Sequence, residues 1–145
     1  MRTVRDLLNA KGSEVWSITP DASVFDALRL MADKNIGAVL VSDAQGVVVG
    51  ILSERDYARK VVLHGHTSRE TPVAAIMTAD VIGGPAEMTV DECMALMTTR
   101  RIRHLPVIEH GRAVGMVSIG DVGRAMIQNQ DFVIAQLERY ICGGR

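Results

Sequence analysis

Residues 50–56 read GILSERD, and residues 115–121 read GMVSIGD. Both follow one pattern: Gly, two apolar residues, Ser, two free positions, Asp. Gly50, Ser53 and Asp56 recur as Gly115, Ser118 and Asp121. A phrase repeated at this distance in a 145-residue chain marks two copies of one supersecondary unit. The surrounding sequence repeats with it. Val24, Leu28 and Met31 correspond to Val90, Met94 and Met97, and TVRDLL (3–8) corresponds to PVAAIM (72–77). The offset between copies falls by one residue across the turns near Gly46 and Gly111. An indel confined to a turn, with the pattern kept on both sides, is what duplication leaves behind.

Working outward from the phrase, each copy reads as helix, strand, helix, strand, strand, helix. Residues 3–10 form an amphipathic helix capped by Thr3, and Val15–Ile18 a short strand. Asp21–Lys34 is a helix capped by Ser23 and stopped at Asn35 and Gly37. Ala38–Ser42 is apolar enough to be a buried strand, and Val47–Leu52 returns beside it through Asp43–Gly46. A helix follows Ser53, with Tyr57, Val61 and Val62 facing inward. Residues 64–72 are a polar linker. In the second copy, Val81–Ile82 is the short strand, Thr89–Thr99 the long helix, and Arg103–Ile108 and Ala113–Val117 the hairpin. Gln130–Cys142 has no counterpart. Its apolar residues fall on one helical face, which suits packing on the core or a homodimer contact. The division is therefore 1–68, 69–128 and a C-terminal helix over 129–145. A repeat of some 65 residues is marginal alone, so the two copies are expected to pack through their sheets around one shared core.

Composition narrows the function classes. The chain is 48% hydrophobic and 23% charged with a net charge of −1, which gives no general attraction to nucleic acid or anionic membrane. The five aromatics, Trp16, Phe25, Tyr57, Phe132 and Tyr140, are too few for a base-stacking platform. No apolar run approaches the roughly 20 residues of a membrane span, and no signal-peptide pattern follows Met1. Cys93 and Cys142 lack CxxC spacing, so a reduced, cytoplasmic protein is expected.

The repeated phrase has a structural reading and a chemical one. Ser-x-x-Asp is a capping box, complete without any ligand. It also stands at a strand end leading into a helix N-terminus, a favourable place for an anion. Its Gly allows another group close to the backbone. Duplication then places two such sites about a pseudo-twofold axis, with a cleft for each. The carboxylate can accept from the vicinal hydroxyls of a ribose, and the hydroxyl can face a phosphate.

With RIRHLPVI (101–108) upstream of the second copy, the chain resembles a tandem pair of CBS domains, the Bateman module, from about Thr3 to Ile127. The resemblance implies an α/β fold of two pseudo-twofold-related repeats, each a small mixed sheet with flanking helices. It implies a regulatory, non-enzymatic protein that binds adenosine-containing ligands (AMP, ADP, ATP, NAD(H) or S-adenosylmethionine) and controls an effector protein. On this pattern Asp56 and Asp121 hold ribose hydroxyls, Ser53 and Ser118 lie near ribose or phosphate, and Ile51 and Met116 line the adenine pocket. Each site borrows from the other half: Ile36, Gly37 and Ala38 serve Asp121, and Ile102, Arg103 and His104 serve Asp56. Ser13 to Val15 and Thr78 to Val81 close the pockets through backbone groups.

Two readings stand for Arg103: a phosphate fork, or a solvated cation at a helix end. For Arg100 and Arg101 the helix-end reading is preferred, and for Arg59 and Arg124 surface ion pairs. The halves differ, with NIGAVLV in one and RIRHLPV in the other, so two unequal sites are expected. His64-Gly-His66 near Glu70 has the letters of a metal site but lies in the linker without further ligands at suitable spacing. Cys93, Ser53 and Ser118 have no partner His in a local nucleophile arrangement. A ligand-free scaffold, in which both phrases are only caps, is the remaining alternative.

Overall fold

The computed structural model describes residues 2–128; the expected C-terminal helix over Gln130–Cys142 lies outside them. The first repeat comprises α1 (Val4–Lys11), β1 (Ser17–Ile18), α2 (Val24–Lys34), β2 (Ala38–Ser42), β3 (Val48–Ser53) and α3 (Glu54–Tyr57). The second comprises α4 (Val73–Ile76), α5 (Val90–Arg100), β4 (His104–Glu109), β5 (Arg112–Ser118) and a helix, α6, over residues 119–128. The long helices start where polar caps precede apolar periodicity. Ser23 Oγ accepts from Asp26 N–H, and Thr89 and Glu92 form a reciprocal capping box. Both end in a left-handed residue, Asn35 (φ 54°) and Arg101 (φ 56°).

In the first half β1 runs parallel to β2, and β2 antiparallel to β3. In the second half β4 and β5 form the equivalent hairpin. The expected second short strand at Val81–Ile82 is reduced to one parallel bridge, Gly84 to Val107. Gly84 N–H donates to Pro106 O and its carbonyl accepts from Ile108 N–H, and Pro85, with no N–H, cannot extend the ladder. The hairpins set the register that matters later: Ala38 pairs with Ser53, and His104 with Ser118.

The interior differs from a single shared core. There are two hydrophobic clusters, and each repeat's first helix belongs to the other repeat's cluster. Val4, Leu7 and Leu8 of α1 pack with Val90, Cys93, Met97, Leu105, Val117 and Val122. Val73 and Ile76 of α4 pack with Val24, Ala27, Met31, Val39 and Leu52. Backbone hydrogen bonds repeat the exchange symmetrically: Val4 N–H to Met88 O and Arg5 N–H to Ala86 O in one direction, Val73 N–H to Ala22 O and Ala74 N–H to Pro20 O in the other. The apolar stripes of α1 and α4 are legible in sequence, but a stripe does not say which of two homologous cores it covers.

The exchange explains the glycine of the repeated phrase. A Cβ on Gly115 would stand 2.6 Å from Leu8 Cδ1, and one on Gly50 would stand 2.5 Å from Met77 Sδ. The close approach that these glycines permit is made by a side chain from the exchanged segment.

Two further departures have local causes. Val62 is exposed, not inward, because α3 widens into a π-helical turn over Ala58–Val62, which changes the angular spacing of side chains. The linker is fastened to the N-terminus of α2: Phe25 N–H donates to Ser68 O, and the Arg69 guanidinium lies 3.9 Å from the Phe25 ring centre.

Candidate functional site

At each hairpin end the strand runs directly into a helix, and the motif Ser caps it. Ser53 N–H donates to Asp56 Oδ2 at 3.0 Å, and Asp56 N–H donates to Ser53 Oγ at 3.2 Å. Ser118 N–H donates to Asp121 Oδ2 at 2.8 Å, and Asp121 N–H donates to Ser118 Oγ at 3.1 Å. Both capping boxes are thus real. They do not exhaust the motif, because each box also borders a cavity built from both halves.

The cavity at Asp121 has a volume of about 550 Å³. It brings together Met116, Ser118 and Asp121 with Val15, Ile36, Gly37 and Ala38. The cavity at Asp56, about 560 Å³, brings together Ile51, Ser53 and Asp56 with Thr78, Ile102, Arg103 and His104. The crosswise pairing follows from register, since the start of each inner strand lies against the motif Ser of its own hairpin and faces the other half. Ser13 and Val81 line neither cavity. Ser13 is exposed in the turn after Gly12 (φ 102°), and a tight turn in which Val81 N–H donates to Ala79 O carries that residue away. Thr78 instead pairs its backbone with Ile51 in both directions, at 2.9 and 3.0 Å.

Sequence reasoning passed over Lys11, Lys60 and Arg55 as site residues. Lys11, at the end of α1, sends Nζ to Asp121 Oδ2 at 2.7 Å and to Met116 O at 2.9 Å. Arg124 donates to Asp121 Oδ1 at 2.9 Å. Lys11 reaches this place because α1 continues to residue 11, whereas α4 stops at Ile76 and the chain itself pairs with Ile51. In the other cavity Lys60 holds Asp56 Oδ1 at 3.2 Å. Arg55, Arg59, Arg101 and Arg103 all line the Asp56 cavity, against Glu54, Asp56 and Asp80. The Asp121 cavity carries Lys11 and Arg124 against Glu14 and Asp121. One cavity has an excess of guanidinium forks; the other is balanced. The left-handed cap at Arg101 is the signal that placed this side chain, and it is visible only in the backbone.

Electrostatics at Asp121 combine opposed effects. Partial burial pushes its carboxyl up. The Lys11 ammonium and the Ser118 N–H more than offset this, so the group stays below its ordinary value. His104 is shifted the other way from the usual paired histidine: burial holds its imidazole below 6.5.

His104 and Gly37 line both cavities and form the wall between them. A Cβ on Gly37 would stand 3.3 Å from Glu54 Oε1 and 3.4 Å from His104 Cε1, so a side chain there would press on both of these groups.

Among the described residues no group of three or more His, Cys, Asp or Glu is arranged to hold a metal ion. His64 and His66 stack on one another, ring centres 6.4 Å apart. Cys93 is a buried free thiol against Met97, pushed up to about 11 by desolvation.

Comparison with known proteins agrees with this geometry. The family model for the CBS domain matches twice, over residues 4–63 and 73–128. The CBS domain-containing protein CBSX3, mitochondrial, of Arabidopsis thaliana is 40% identical, covering 98% of this chain and 73% of that protein. A solved structure with CBS domains from Burkholderia ambifaria superposes with a TM-score of 0.84 at 47% identity, over 88% of this chain and 96% of that one. A CBS domain pair solved in complex with 5′-methylthioadenosine and S-adenosyl-L-methionine superposes with a TM-score of 0.78 at 25% identity, over 89% of this chain and 98% of that one. Among the described residues no helix is long and apolar enough to cross a membrane.

Proposed function

Because this chain belongs to the CBS-domain family, we propose that it is a regulatory module that binds adenosine nucleotides in the two cavities between its repeats. The observation that carries this reading is the placement of Asp56 and Asp121. Each motif carboxylate borders its own cavity of about 550 Å³, closed by residues of the opposite repeat. The neighbour solved with two adenosine-containing ligands supports the ligand class. On this reading Asp56 and Asp121 accept from ribose hydroxyls, and Ile51 and Met116 lie against the base.

The cavities sort ligands by charge. Arg55, Arg59, Arg101 and Arg103 suit the Asp56 cavity to a phosphate-bearing ligand such as AMP, ADP, ATP or NAD(H). The balanced charges of the Asp121 cavity support a second ligand without a polyphosphate, S-adenosylmethionine among them. The ligand acts by favouring one arrangement of the repeats, and so biases an effector protein. The role is regulatory, not catalytic. The exposed Val62 and Leu63 support a homodimer contact. A cytoplasmic location belongs to the same proposal, resting on cysteine usage; the mitochondrial name of a relative makes cell fractionation its test.

A thermal-shift series with AMP, ATP, NAD(H) and S-adenosylmethionine tests the reading. Phosphate-bearing ligands should raise the melting temperature, and Asp56→Asn should remove that rise while Asp121→Asn leaves most of it. Calorimetry showing two identical, independent sites would refute the sorting. A chain that responds to no adenosine ligand is a scaffold held by its two capping boxes.

A further inference from the structure

His104 occupies a singular position. It is the first residue of β4, paired with Ser118, and its side chain lines both cavities. Its pseudo-twofold counterpart is Ala38, so nothing titratable stands at the equivalent place in the first half. The groups that act on its imidazole come from both sides. Asp121 and Lys11 belong to one cavity, Glu54 and Arg103 to the other. Each cavity therefore presents one acid and one base to the same ring. The other three histidines, His64, His66 and His110, line neither cavity.

We propose that His104 is a proton-linked coupler between the two cavities: a phosphate bound in the Asp56 cavity draws a proton onto the imidazole, and that proton changes the charge presented to the ligand of the Asp121 cavity. This rests on the reading of both cavities as ligand sites. The physical chemistry is direct. A half-buried ring with low intrinsic charge is neutral near pH 7. A phosphate brought against it favours the charged form. By reciprocity, protonation favours the phosphate by the same factor. Each unit by which an anion raises the midpoint of His104 corresponds to about a tenfold gain in affinity, complete once the pH falls below the ligand-free midpoint. The ring forms part of both walls, so a proton taken up for one ligand acts on both.

Histidine Cε1–H resonances followed by NMR against pH supply the test, with His104→Gln used only to assign the peak. Without ligand, Lys11→Met changes one cavity and Arg103→Met the other. Both should raise the His104 midpoint, and a midpoint that moves in only one of them overturns the coupling. With saturating ATP the midpoint should rise in the wild type. Calorimetry in two buffers of different ionisation heat should then show proton uptake between the free and raised midpoints, and affinity should rise up to about tenfold per unit of midpoint shift. ATP that binds while His104 stays in place refutes the coupler and leaves the nucleotide reading standing. Failure of ATP to shift the melting temperature refutes the nucleotide reading; inorganic pyrophosphate then serves as the anion in the same titration, and an unmoved midpoint refutes the coupler.

Discussion

Gly115→Ala examines the exchanged helices directly. The added methyl would meet Leu8 Cδ1 at 2.6 Å, Cδ2 at 2.7 Å and Cγ at 3.2 Å. Two of these atoms are the tip of a flexible side chain, which limits the overlap energy. Leu8 is only 6% exposed, however, and sits among Val4, Leu105 and Val117 with little space to rotate into. Overpacking of this kind costs about 1–3 kcal/mol, and the yielding tip argues for about 1–2 kcal/mol here. Leu8→Ala alone removes a buried side chain and should cost about 2–5 kcal/mol. In the double variant the methyl has nothing to strike, so its own penalty should vanish and stability should match Leu8→Ala alone. Urea unfolding at constant m-value measures all three. The expected coupling is about 1–2 kcal/mol in favour of the double variant. Additivity within about 0.3–0.5 kcal/mol would mean that Leu8 does not lie on Gly115, and α1 would then belong elsewhere.

Two more outcomes concern pH. His104 is held below its unfolded value of about 6.5. The unfolded chain therefore binds more protons between the two values, and the stability contribution is complete above 6.5 and lost as pH falls through the depressed value. Melting scans from pH 8 to 5 should show this decline in the wild type and a smaller one in His104→Gln. Asp121 is also depressed, so its contribution is present above about 3.9 and lost as pH falls through its folded value. Lys11→Met should raise the Asp121 titration seen by NMR and lower stability at pH 7 by about 1 kcal/mol, a small figure because Lys11 is 40% exposed. An unmoved Asp121 would show that the ammonium does not hold it.

The fold was legible wherever a local rule governs it. Ser23, Thr3 and Thr89 announce helix starts, and Ala38–Val41 announces a buried strand. Most of the candidate site was legible too, because Asp56 and Asp121 recur at equivalent strand ends and register brings the opposite half to each. What could not be read was choice between equivalents. The stripe Val4, Leu7, Leu8 fits either core, and only the three-dimensional closure assigns it to the second. The glycines 50 and 115 signal a close approach, but not whether a ligand or a side chain, Met77 and Leu8 respectively, makes it. Long side chains were misjudged for a related reason. Arg59, Arg101 and Lys11 look like surface charge in a linear sequence, yet they line cavities that exist only after two distant segments meet, whereas Arg124 makes the ion pair expected of it, with Asp121.

The exchange of first helices also bears on the order in which this chain can fold as it is synthesised. α1 leaves the ribosome before the rest of either repeat, yet its apolar face covers residues between 86 and 125. The first sheet likewise waits for Val73 and Ile76 to close its cluster. Neither half can complete itself from its own residues, so both must hold exposed apolar surface until most of the chain is available. Such long sequence separations slow folding and lengthen the interval in which the nascent chain is vulnerable to aggregation and to chaperone capture. Two fragments cut within residues 64–71 would each lack the helix that the other carries. Mixed together, they have the means to find one another.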